Sequence, residues 1–156
     1  MKKRIIEPRE TETSPEQDAW LNVEELAQVE LQSEDPAHPI ESALIPGKGD
    51  GWRADAPGPQ TIRLLFHEPQ TLRHIQLCFR EAEVERTQEF VLRWSGGDSG
   101  YHDIVRQQWN FTPSGNTTQT EDYHVTLPGV RALELQIIPD ISKGSARASL
   151  AHWRVA

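Results

Sequence analysis

The chain of 156 residues has one cysteine, one methionine and two tyrosines, and it is short of basic residues, with 16 Lys and Arg against 24 Asp and Glu for a formal charge of −8. With Cys78 as the only thiol no internal disulfide can form, so the fold must rest on burial and hydrogen bonding. The negative field repels phosphate backbones and anionic lipid, which argues against nucleic acid as a partner. No stretch approaches the roughly 20 apolar residues that a membrane helix requires, so no membrane insertion is expected. The basic start Met1-Lys2-Lys3-Arg4 is followed by only Ile5 and Ile6 before Glu7-Pro8-Arg9-Glu10, too little for the apolar core of an export signal. A cytoplasmic, reduced protein is the resulting expectation. Signatures of catalysis are absent as well: there is no Gly-x-Ser-x-Gly, phosphate-binding glycine loop, His-Glu-x-x-His or dinucleotide fingerprint, and no enzyme is expected.

What is present reads as one domain. Residues 1–13 are polar and without period, the composition of a flexible tail, and residues 14–156 form a single unit. Ser14-Pro15-Glu16-Gln17 has the order of a helix start, and Trp20, Val23 and Leu26 follow at helical spacing, which predicts a short N-terminal helix over about 15–26 packed by Trp20. After residue 27 the period changes to two. Val29 and Leu31, then Ile62, Leu64 and Phe66, then Ile75, Leu77 and Phe79, each alternate with polar or lesser apolar residues. Phe90, Leu92 and Trp94 continue the pattern, as do Ile104 and Val105, then Tyr123, Val125 and Leu127, then Leu133, Leu135 and Ile137, and finally the segment from Leu150 to Val155. Roughly eight antiparallel strands predict an all-β sandwich or jelly roll. Two connections, 34–60 and 110–120, are rich in turn residues and long enough to serve as binding loops, whereas Ser95 to Gly100 reads as a tight turn.

The order of segments resembles the discoidin, or coagulation-factor type C, family and the related galactose-binding-like carbohydrate modules, over about residues 27–156. The resemblance rests on Ser33-Glu34-Asp35-Pro36 through Ser42-Ala43-Leu44, on Gly51-Trp52-Arg53-Ala54, and on the strand Thr61 to Phe66. It continues through Glu68-Pro69 to Leu77, the turn from Trp94-Ser95 to Tyr101, and the ending Ala148-Ser149-Leu150-Ala151-His152-Trp153-Arg154-Val155. It implies an eight-stranded antiparallel jelly-roll β-sandwich whose loops at one end bind glycans, lipid head groups or proteins. It also implies that Trp52 packs under the sandwich, with Tyr101 in a similar packing role. Many members of the family hold calcium with an Asp-Gly pair after the first-loop Ala-Leu and a Glu in the last strand. Here Ile45-Pro46 and His152 stand at those places, which removes the hard oxygen donors and predicts no calcium.

The candidate ligand-binding residues are the polar and aromatic side chains of the long connections: His38, Glu41, Asp50 and Arg53 around the first, and Arg86, Arg106, Trp109 and Asn110 around the fifth strand and its loop. Sugars are recognised by flat aromatic faces and by forked donors and acceptors, which these types supply. Trp109 divides evenly between a core and a surface position. Cys78 sits in an apolar strand pattern and reads as a small buried hydrophobe. The six histidines, at 38, 67, 74, 102, 124 and 152, show no spacing that sets two on one face, so neither a metal nor any other cofactor is expected. Glu81, Glu83, Glu85 and Glu89 cluster beside one turn, where they read as a solvated connection rather than the opposed acids of a glycosidase. The leading expectation is a non-catalytic module that recognises a carbohydrate-type ligand. The alternative is a cytoplasmic protein–protein interaction or assembly domain that uses the same loops or an open sheet edge.

Overall fold

The computed structural model describes residues 20–97 and 100–156, so the expected tail over 1–13 and the first residues of the expected helix lie outside the described residues. The described part of that region holds one helical turn, α1 (Val23–Leu26), with Asn22 before it. Trp20 and Leu21 are not helical. Leu21 N donates instead to Val155 O at 2.8 Å, and Trp20 stacks on the His74 ring with centroids 4.6 Å apart. Contacts with the body of the fold outweigh helical periodicity here because a short helix gains little from its own hydrogen bonds.

The strands follow as β1 (Ala27–Leu31), β2 (Trp52–Pro57), β3 (Gln60–Arg80), β4 (Arg86–Ser95), β5 (His102–Phe111), β6 (Thr118–Ile138), β7 (Arg147–Leu150) and β8 (His152–Val155), with a second helical turn, α2 (Glu41–Leu44), between β1 and β2. Every strand pair is antiparallel. The 21-residue strands β3 and β6 each run through both layers. Their first register sets Ile62 opposite Leu135; after shifts between Leu65 and His74 the second sets Ile75 opposite Tyr123. β6 changes course at Pro128-Gly129, where Pro128 has no N–H to give the ladder and Gly129 takes a φ of 65°.

The early half of β3 and the late half of β6 lie between β1 and β4, with β5 at the far edge. The late half of β3 lies between β8 and the early half of β6, and the β2–β7 ribbon meets its end, where Ala151 N donates to Cys78 O. The alternation that predicted strands also sorts their faces: Ile62, Leu64, Ile75, Leu77, Phe79, Phe90, Leu92, Leu133, Leu135 and Ile137 are fully buried. Phe79 and Phe90, one from each layer, meet with ring centroids 5.2 Å apart. Trp52 and Trp153 close this core as its largest buried side chains, and Cys78 is buried as expected. Tyr101 departs from its expected packing role. It stands at the β4–β5 connection, just before β5 begins, with 38% of its surface exposed.

Candidate functional site

The first part of the connection read over 34–60, up to β2, is folded onto the end of the sandwich by its own polar groups. Ala37 N donates to Asp35 Oδ1 and His38 N to Asp35 O, a side-chain and a main-chain closure of the same turn. Ile40 N donates to the Glu34 carboxylate, α2 follows, and Ser42 Oγ donates to Lys48 O. Gly51, with φ of 122°, then brings the chain against Leu150 and Ala151 so that Trp52 can pair with β7. The indole of Trp52 is buried under the loop and donates from Nε1 to Ser33 O at 3.1 Å, as the resemblance implied. Arg53 N donates to His38 O, which fixes the loop to the strand.

These contacts bring three of the sequence-derived residues together. His38, Asp50 and Arg53 line a cleft of about 140 Å³ with Arg80 and Ser149. His38 Nδ1 lies 3.5 Å from Asp50 Oδ1, and the Asp50 side chain is 81% exposed. Among the described residues neither the Arg53 nor the Arg80 guanidinium has a protein acceptor, in contrast to Arg63, Arg86, Arg93, Arg106 and Arg154, which are all engaged. The cleft therefore offers two free fork-shaped donors, an imidazole and one carboxylate. Arg80 and Ser149 escaped the sequence reading. Alternation sets Arg80 outward at the end of β3, but only the pairing of Arg53 with Ser149 shows that the two strands share this site.

The other candidates are elsewhere. Glu41 is exposed at the start of α2 and lines a separate groove with Val23, Val29, Leu31 and Leu44. Arg86 is buried and serves the fold: it binds Glu81, Gln88 and Pro139 O and lies over the Phe111 ring. Arg106 is held by Glu89 at 2.9 Å on β5. Trp109 is half-buried against the core, and among the described residues its enclosed Nε1 has no hydrogen-bond acceptor. Asn110 is exposed, but its Oδ1 takes the Thr87 hydroxyl and its carbonyl the Asn116 amide. The acids beside the β3–β4 turn do not oppose one another across a gap; Glu81 is committed to Arg86 and Glu89 to Arg106.

The first-loop and last-strand region, where the resemblance places calcium, does not fit that ion. Ala43 O already accepts a cation, Arg154 Nη1 at 2.7 Å. Burial lowers the basicity of Arg154 and of its neighbour His152, to which the charges of Arg154 and Arg80 add. The guanidinium reaches a carbonyl of the loop from the last strand and ties the two together.

The histidines are not all scattered, and on this point the sequence reading is corrected. His74 and His124 are 50 positions apart but directly opposite in the β3–β6 register, and Asp122 shares their face. Strand pairing brings them together, and no local spacing could reveal it.

No family model matches the chain, and no curated protein sequence matches it. Solved structures do. A family 32 carbohydrate-binding module of Clostridium perfringens NanJ, in complex with galactose, superposes with a TM-score of 0.61 at 14% identity, covering 87% of this chain and 96% of that one. A third module of the same family, from a family 31 glycoside hydrolase of Clostridium perfringens, gives 0.62 at 13% identity, with 87% and 93% covered. The module of AlyQ in complex with 4,5-unsaturated mannuronic acid gives 0.59 at 15% identity, with 84% and 95% covered. The chain thus has the galactose-binding-like β-sandwich fold of these modules.

Proposed function

We propose that the chain is a non-catalytic module that binds a carbohydrate in the cleft of His38, Asp50, Arg53 and Arg80. The observation that carries this reading is the pair of guanidiniums left without protein acceptors beside an exposed carboxylate and an imidazole. Forked donors and a carboxylate suit vicinal hydroxyls, and the donors suit a sugar carboxylate equally well. The fold is that of modules seen with galactose and with an unsaturated mannuronic acid, which supports the same class of ligand. Trp52 is committed to the core, so recognition in this cleft is polar rather than by stacking. The lining holds one carboxylate, and hydrolysis of a glycosidic bond requires two across the bond.

Titration calorimetry against neutral hexoses and hexuronic acids tests this. Binding of at least one of them is expected. Charge-assisted hydrogen bonds contribute about 1.5–3 kcal/mol each, so Arg53→Ala should weaken it by roughly 10- to 100-fold. Arg106→Ala, on a surface outside the cleft, should leave it unchanged. A panel without a single binder, or equal loss from both substitutions, would remove this reading.

A further inference from the structure

We propose that the outer face of the layer formed by the late half of β3, the early half of β6 and β8 carries a binding site for a divalent transition-metal ion of the zinc type, formed by His74, His124 and Asp122. The register of β3 and β6 sets His74 directly across from His124, and Asp122 lies two positions before His124 on the same face. His74 Nε2 is 2.5 Å from Asp122 Oδ1, and His124 Nε2 is 3.5 Å from Asp122 Oδ2. One donor atom from each of the three lies within 4.8 Å of the others. Two imidazoles and a carboxylate are the mixed nitrogen and oxygen set that zinc and its neighbours in the first row favour, whereas calcium and magnesium take oxygen alone.

The surroundings prepare this arrangement. His74 is buried, with 8% of its side chain exposed, and both Trp20 and His124 stack on its ring, at 4.6 and 4.5 Å between centroids. That stacking holds one ligand before any ion arrives, which reduces the ordering that binding must impose. Gln76 Nε2, 3.4 Å from Asp122 Oδ1, supports the carboxylate from the neighbouring position. His124 is 68% exposed and free to tilt out of its parallel stack. A short hydrogen bond from His74 to Asp122 accounts for one ring, but it leaves the second imidazole aimed at the same carboxylate. Loading requires the His74–Asp122 separation to widen to about 3.3 Å, the spacing of ligands placed tetrahedrally at 2.0–2.1 Å from zinc. The solvent side is open for water to complete the coordination.

Calorimetry of the full chain without a histidine tag, titrated with zinc chloride and in parallel with nickel chloride, decides the matter. One ion per chain is expected, with a change in Trp emission from the indole stacked on His74. Calcium chloride should give no saturable heat. His124→Gln, on an exposed position that the fold does not require, should cost about tenfold or more in affinity, and Asp122→Asn a similar amount. No saturable zinc binding, or His124→Gln binding as the parent does, would overturn the site. Neither result bears on the sugar cleft, which shares none of these residues.

Discussion

Arg86→Met is expected to destabilise the protein by about 3–5 kcal/mol, the cost of removing one partner from a buried ion pair. The Arg86 side chain has no exposed surface and that of Glu81 only 11%. Its Nε donates to Glu81 Oε1 at 2.8 Å, and Nη1 donates to Pro139 O at 2.7 Å and to Gln88 Oε1 at 3.2 Å. One side chain therefore joins the β3–β4 turn, the start of β4 and the end of β6. Methionine fills much of the volume but supplies no donor, so Glu81 and Pro139 O are left enclosed without their cation. Denaturation in urea measures the loss, and the double variant Arg86→Met/Glu81→Leu should recover part of it, since the stranded carboxylate is the most expensive remnant. Equal stability of the single and double variants would refute this account.

The same pair sets an acid limit. Burial pushes the Glu81 carboxyl up, but the Arg86 hydrogen bond and the N–H groups of Glu83 and Val84 outweigh it, and the net result lies below the ordinary 4.5. A carboxylate whose folded value is depressed contributes stability that is present above its unfolded value and lost as the pH falls through the folded one. The parent should therefore lose stability on acidification below about 4.5, and Glu81→Gln should flatten that limb when urea midpoints are compared across pH.

How much of this was legible in the chain depends on the range of the interactions. The strand cores were readable because a sheet buried on one face repeats every second residue, as Ile62, Leu64 and Phe66 or Leu133, Leu135 and Ile137 do. Trp52 was readable through its place in the Gly51-Trp52-Arg53-Ala54 segment. β2 was hidden inside a stretch whose prolines and glycines suggested only turns, because Trp52–Pro57 is a short ribbon that exists by pairing with β7. The candidate cleft was legible in part. His38, Asp50 and Arg53 converge through contacts within 20 residues, whereas Arg80 and Ser149 join them through strand order. Arg86 misled because its type suits ligands equally well, and only its enclosure by Glu81 and Pro139 shows that it serves the fold. The His74, Asp122 and His124 group is wholly a product of register.

Gly51→Ala should be comparably damaging, at about 4 kcal/mol, the sum of left-handed backbone strain and a forced contact in a packed region. A methyl group added there would lie 2.5 Å from Leu150 O and 2.9 Å from Ala151 Cα. Both are backbone atoms, so no side chain can swing away and β2 must part from β7. Gly58 provides the control. Its φ of 101° is equally unfavourable for alanine, but nothing lies within 4 Å of the added atom. Gly58→Ala should therefore cost only the conformational part, about 1–2 kcal/mol. The difference between the two variants isolates the close approach of the strands. Because Gly51 lines the cleft between Asp50 and Trp52, the separation of β2 from β7 also displaces Arg53 from Ser149. Folded Gly51→Ala protein, examined at low temperature, should consequently bind sugar more weakly than Gly58→Ala. Equal melting temperatures for the two would mean that the β2–β7 contact is slack and that it does not shape the cleft.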